Sequence, residues 1–297
     1  MSRWPRALRA NAFFILLALA PCLAAQTVTD DAGRLLRLAH PAQRIVSLSP
    51  GITELLFAIG VGDRVIAASE FSDYPAAARL LPRVSRAQGI DLEKIAALEP
   101  DLVVLWGSGY PPALQQALQA LEVPTYVYEP STLESIASSI ERLGALTASA
   151  NAPTVAADFR SRLNSLRQHY AQRAPVRVFY QVWSNPIMTL SGRHLVSEVM
   201  RTCGARNVFE ALRPLVATVD IEAVIAAQPQ VIIATEVQAI DRGALDSWRR
   251  YPQLPAVANH HLVTLDADEL DRAAVRILDA ATELCEQVEQ ARDAARP

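Results

Sequence analysis

Two stretches of the chain carry the same pattern of apolar and polar positions. LEKIAALEPDLVVLW, residues 92–106, and IEAVIAAQPQVIIAT, residues 221–235, stand 129 positions apart. In each, apolar residues recur at helical spacing (Leu92, Ile95 and Ala96; Ile221, Val224 and Ile225) behind an aspartate at the N-cap position, Asp91 or Asp220. An acid, Glu93 or Glu222, lies just inside the first turn. Each helix stops before a proline, Pro100 or Pro229, because the residue preceding proline prefers extended backbone. The runs that follow, LVVLW and VIIAT, are unbroken apolar segments that suit parallel strands buried on both faces.

A second echo links RIVSLSP at 44–50 with RVFYQVW at 177–183, each expected to be a strand entering a loop ahead of a helix. Alternation of helix and strand through both halves predicts an α/β protein of two Rossmann-like lobes, each built on a parallel sheet. Between them, Val155, Phe159, Leu163, Leu166 and Tyr170 draw one apolar stripe along a single long helix bounded by Pro153 and Pro175. The expected organisation is a lobe over 26–150, a linking helix over 151–174 and a second lobe over 175–297, and one helix packed on both lobes implies a stiff body.

Composition adds the compartment. Arg3, Arg6 and Arg9 precede the apolar run AFFILLALA and the small residues of PCLAA, so residues 1–25 read as a secretory signal cleaved after Ala24 or Ala25. Cys22 in LAPC resembles a lipid-attachment cysteine, but Pro21 fits that motif poorly, and lipid anchoring is the lesser reading. Without the three signal arginines the chain keeps 25 basic and 31 acidic side chains, a formal charge of −6, which argues against a nucleic-acid partner. Lys94 is the single lysine, so no phosphate-loop lysine exists. Two cysteines survive cleavage, Cys203 and Cys285; in an oxidising compartment they suggest a disulfide, the alternative being two unpaired buried thiols.

Catalytic constellations are missing. There is no GxSxG, no HExxH and no phosphate loop, and GVGDRV at 60–65 follows a helix, as a C-cap turn does. His260 and His261 are adjacent, without partners at metal-ligand spacing. No metal, no cofactor and no catalytic residue is expected; an exported two-lobed α/β protein of this kind captures a solute in the crevice beyond its strand ends. An enzyme using a nucleotide on Rossmann-like lobes is the contrasting class, and the missing fingerprint and the export signal count against it.

RIVSLSPGITELLFAIGVGDRV, EFSDYP, RVSRAQGIDLEKIAALEPDLVVLW, MRTCGARNVF and TELC resemble the periplasmic cobalamin-binding proteins of ABC importers, a class of helix-linked receptors that also serves haem and iron siderophores. The resemblance runs from about Arg44 to Cys285. It implies a periplasmic monomer that carries cobalamin, or a related corrinoid, as cargo to a dimeric ABC permease, with a haem or ferric-siderophore receptor as the alternative. It also implies that Cys203 pairs with Cys285, and that Glu93 and Glu222 meet arginines of the permease. Where those proteins tend to carry aromatic residues this chain has Phe71, Ala87, Val216 and Glu269, of which only Phe71 is aromatic. Trp106, Tyr110, Tyr180 and Trp183 lie where strands meet the expected cleft and are candidate compensating contacts. The segment Asp266, Ala267, Asp268, Glu269 and Leu270 matches one that lines the ligand in the family, its acids being potential acceptors for corrinoid amides.

Overall fold

A computed structural model describes residues 25–86, 89–236 and 243–294. Residues 1–24, including Cys22, lie outside the described residues, as does Ala87. Among the described residues no helix is long and apolar enough to cross a membrane.

The amino-terminal lobe holds a four-stranded parallel sheet in the order Val65–Ala68, Ile45–Leu48, Leu102–Trp106 and Thr125–Tyr128. Ile45, Val46 and Leu48, with all of Leu102–Leu105, are buried, as the unbroken apolar runs require of strands covered on both faces. Helices Pro50–Ala58, Leu92–Ala97, Pro112–Ala120 and Leu133–Thr147 supply the cover. The first ends in the expected glycine turn, with Gly60 at φ +77°.

The carboxy-terminal lobe repeats the theme with a difference. Val231–Glu236 lies between Val176–Ser184 and Leu262–Asp266, parallel to both, and Ala205–Asn207 runs parallel to Val176–Val178. The sheet is nevertheless mixed rather than wholly parallel: Ile187–Leu190 returns antiparallel to Val176–Ser184, and Val216–Thr218 adds antiparallel to that. The reason is local. Val176–Ser184 does not lead to a helix, as the echo with RIVSLSP suggests, but into the two-residue connection Asn185-Pro186, which is too short for anything except an antiparallel return.

The repeated phrase folds as the same unit twice. Leu92–Ala97 precedes Leu102–Trp106, and Ile221–Ala227 precedes Val231–Glu236. Asp91 and Asp220 both occupy the N-cap position; the Asp91 carboxylate accepts the Lys94 N–H at 2.9 Å, whereas the Asp220 side chain makes no cap hydrogen bond.

The linking helix spans Ala152–Tyr170, with Phe159, Leu163 and Tyr170 buried and Val155 and Leu166 packed against them. These side chains join one apolar cluster that runs without a break from Leu55 and Ile140 of the first lobe to Val199 and Leu284 of the second. Each lobe is thus not an independent core: Phe159 and Leu163, at about 1.5 to 3 kcal/mol apiece on burial, serve both. Ion pairs follow the same division, Arg160 with Glu134 and Glu141 of the first lobe, Arg162 with Asp279 and Arg167 with Glu198 of the second. Being largely exposed, these add little stability.

Cys203, closing the helix Leu195–Thr202, is bonded to Cys285 in the helix Ile277–Ala294, 82 residues further on, and both are fully buried. Replacing both cysteines with serine is expected to lower the stability of the folded chain by up to about 4 kcal/mol, the loop-entropy value for a link of this length. Urea unfolding of the two forms measures it, and a non-reducing tryptic digest should yield the two cysteine peptides joined.

Candidate functional site

The strand ends of the two lobes present aromatic residues in matching fashion. Trp106 is the last residue of Leu102–Trp106; Leu105 is buried, while the indole beyond it is 48% exposed. The loop that follows folds across that ring, and a Cβ at Gly109 would come within 2.3 Å of Trp106 Cε3 and push the indole from its place. Tyr110 closes the same loop, its hydroxyl donating to the Leu48 carbonyl at 2.8 Å, which makes it a half-buried rim residue. In the second lobe Trp183 is also 48% exposed, with its Nε1–H donated to the Asn185 carbonyl at 3.0 Å. Phe71, at 70% exposure, and Tyr74, at 45%, add further apolar surface from the first lobe.

Tyr180 is a correction to the sequence reading. Three residues short of Trp183, it is 1% exposed, and its hydroxyl donates to Asp271 Oδ1 at 2.9 Å. Thr235 donates to the other Asp271 oxygen at 2.9 Å. The ring is part of the core and offers no face to a ligand; it props Asp271 from below. Asp271 is open to solvent at one edge yet ringed by protein atoms, and that crowding pushes its carboxyl above the usual range against the pull of the two hydroxyls.

The segment Asp266–Leu270 forms a cap and a short helix. The exposed Asp266 carboxylate accepts the Asp268 N–H at 2.7 Å, opening the turn Ala267–Leu270. Ala267 and Leu270 are buried, so the corrections extend to them: neither presents a side chain outward. Asp268 and Glu269 are partly open, and each is bound by an arginine.

Those arginines bridge the lobes. Arg276 grips Glu54 of the first lobe bidentately, Nε to Oε1 at 3.1 Å and Nη2 to Oε2 at 2.8 Å, reaches Glu269 at 3.0 Å, and lies 3.9 Å from the centre of the Tyr74 ring. Arg272 donates to Asp73 at 2.8 Å, to Asp268 at 2.7 Å and to the Phe71 carbonyl at 3.3 Å. The Tyr128 hydroxyl donates to the Ala273 carbonyl across the same seam. Glu54 is 1% exposed in the apolar helix Pro50–Ala58; burial pushes its carboxyl up, and the Arg276 guanidinium pulls it partly back.

Sequence reading missed Glu54, Asp73, Arg272 and Arg276. Two signals were available: a lone acid within ITELLF, where an unpaired charge is costly, and an acid four residues ahead of an arginine at Asp268 and Arg272. Hollows of about 450 and 340 Å³ also occur, but they lie along the linking helix, lined by Ser161, Arg162, Leu166 and Phe159 among others, and bring together none of the predicted ligand residues. Among the described residues no group of histidine, cysteine or acid side chains could hold a metal ion.

Residues 45–269 match the model of the periplasmic binding protein family. A vitamin B12-binding protein of Vibrio campbellii is 40% identical over 253 residues, covering 85% of this chain and 91% of that one. One from Vibrio cholerae is 42% identical over 253 residues, covering 84% and 91%. The crystal structure of the periplasmic vitamin B12-binding protein BtuF of Vibrio cholerae superposes with a TM-score of 0.78 at 40% identity, covering 84% of this chain and 98% of that one. A periplasmic haem-binding protein of Roseiflexus sp. RS-1 shares the fold, with a TM-score of 0.75 at 24% identity over 84% of this chain and 99% of its own.

The cross-lobe pair predicts a pH signature. Because folding raises the Glu54 pKa, its contribution favours the folded state below about pH 4.3, the unfolded value, and fades as pH rises through the folded value. Removing the guanidinium in Arg276→Met strands a buried carboxylate and should cost about 3 to 5 kcal/mol at neutral pH. The deficit should shrink towards pH 4, where Glu54 holds its proton. Urea unfolding at the two pH values tests this, and a deficit of constant size contradicts it.

Proposed function

The chain belongs to the periplasmic binding protein family, whose members bind solutes rather than catalyse reactions, and from that premise we propose that it captures cobalamin, or a related corrinoid, between its lobes and hands it to an ABC permease. The observation that carries this reading is the pair of half-exposed indoles, Trp106 and Trp183, one from each lobe and each near the carboxyl end of its strand. Large aromatic faces of this kind suit a broad, largely apolar macrocycle. Phe71 and the rim residue Tyr110 extend the surface.

The charge of the cleft favours a corrinoid over haem. Asp266, Asp268, Glu269 and Asp271 cluster on one wall, and the two arginines there are already engaged by carboxylates. Acids accept hydrogen bonds from the side-chain amides of a corrinoid and repel the carboxylates of haem. None of the five histidines is placed to ligate a metal at the strand ends: His169 is on the linking helix, His194 caps Leu195–Thr202, His260 and His261 precede Leu262–Asp266, and His40 precedes Ile45–Leu48. The corrinoid is cargo, held without covalent attachment, and no resident cofactor is required. The family's location is the periplasm; residues 1–25 serve as the cleaved export signal, Cys22 stays without lipid, and the mature receptor acts as a monomer.

Docking falls to the repeated phrase. Glu93 and Glu222 are exposed at equivalent places on the two lobes, in the first turns of Leu92–Ala97 and Ile221–Ala227. A permease of two-fold symmetry presents each of its loops twice, and a monomer matches it only by duplicating its own contact.

Calorimetric titration with cyanocobalamin and with haemin tests the ligand. One cyanocobalamin should bind per chain, and Trp106→Ala and Trp183→Ala should each weaken it by about 1 to 3 kcal/mol. Binding of haemin alone would replace the corrinoid reading with the haem one. Charge reversal in the double variant Glu93→Lys, Glu222→Lys should leave the titration unchanged and weaken association with the permease more than either single change; uptake at the unaltered rate would leave the glutamates as helix-end acids favoured by the dipole.

A further inference from the structure

The loop that carries Phe71 is held by more arginines than its own lobe supplies. Phe71 has φ +63°, a left-handed backbone that a bulky aromatic residue rarely adopts, and it holds its side chain 70% exposed. Neither property stabilises the isolated fold, so an observed outlier here points to a function that requires the residue in that place. Four guanidinium groups keep the loop in shape. Arg83 donates to the Ser69 and Ser72 carbonyls at 3.2 and 2.9 Å, and Arg79 to the Asp73 carbonyl at 3.1 Å, all within the first lobe. From the second lobe, Arg272 donates to the Phe71 carbonyl at 3.3 Å and to the Asp73 carboxylate at 2.8 Å, and Arg276 covers the Tyr74 ring at 3.9 Å.

We propose that Arg272, seconded by Arg276, is a positioning residue for ligand capture: it pins the 71–74 loop across the lobe seam and so fixes Phe71 at the edge of the cleft. The pin is well built for this. Arg272 is only 10% exposed, and Asp268, four residues earlier, holds its guanidinium in place from its own lobe. One planar fork thereby ties a backbone carbonyl and a carboxylate of one lobe to a carboxylate of the other, a task a lysine ammonium does less well. The aromatic surface offered to the ligand by the first lobe then depends on contacts made by the second, and the two halves of the cleft are set as a unit before any ligand arrives.

This inference rests on the corrinoid reading for its affinity arm and is independent of it in its structural arm. In the structural arm, hydrogen exchange is followed in ligand-free protein at Glu70 and Ser72, whose N–H groups bond to Ser85 Oγ and the Ser69 carbonyl. Arg272→Gln should accelerate exchange there by about tenfold or more while leaving the amides of Leu102–Trp106 unchanged, the mark of local rather than global opening. Asp73→Asn, a milder change on a more exposed side chain, should act in the same direction, and serves if Arg272→Gln does not fold. In the affinity arm, Arg272→Gln should weaken cyanocobalamin binding about tenfold in the parent but less than about threefold in Phe71→Ala, because contacts that act through one another are not additive. Arg272→Lys should fall between. Unchanged exchange at Glu70 and Ser72 in the variants overturns the proposal whether or not cyanocobalamin binds; so does a full tenfold loss on top of Phe71→Ala, which would make Arg272 a contact in its own right.

Discussion

The arrangement of the cleft turns on one buried ion pair, Glu54 with Arg276, which joins residues 222 positions apart and in different lobes. A carboxylate at 1% exposure inside an apolar helix is costly unless a cation meets it, and here the cation that meets it, Arg276, comes from the opposite lobe. Any rotation that opened the seam would part Glu54 from its cation, while Arg276 would keep Glu269 of its own lobe. The pair therefore acts less as a source of stability than as a specification: it makes one relative placement of the lobes far better than its neighbours. The linking helix does the same by apolar means, through Phe159 and Leu163 in the cluster that both lobes share. Held at both the seam and the helix, the lobes are tied to each other at two places, and the capture proposed above would then lose little affinity to ordering the protein.

That constraint explains how the site divides its labour. Residues that face outward at the strand ends, Trp106 and Trp183, are supplied separately by each lobe and need only correct aim. Residues at the seam, Arg272 and Arg276, are consumed by fixing that aim and have no spare charge for an anionic ligand. What remains on the second lobe's wall is acidic, and a ligand rich in hydrogen-bond donors is the chemical complement.

Much of this was legible in the sequence where the signal is local. The repeat of helix, proline and buried strand announced the two lobes, and the stripe from Val155 to Tyr170 announced the helix between them. The disulfide was suggested by two cysteines in an exported chain, and likeness to a family rather than spacing supported their pairing. The hairpin at Asn185-Pro186 escaped because the strand before it pairs with parallel neighbours and reads as one of them. Tyr180 was misjudged for a related reason. In a strand buried on both faces, distance from the carboxyl end decides exposure, and three residues separate the core position of Tyr180 from the open position of Trp183. The seam was hardest to see, since an ion pair between residues far apart in the chain leaves in the sequence a solitary glutamate among leucines and a pair of arginines four positions apart.

A crystal structure of the protein with cyanocobalamin bound tests the account most directly. It predicts the corrin ring between the indoles of Trp106 and Trp183, with Glu54 and Arg276 still paired and the lobes superposing on the ligand-free arrangement as one body. A ligand seated in the hollows along the linking helix, or a seam opened with Glu54 parted from Arg276, would contradict it.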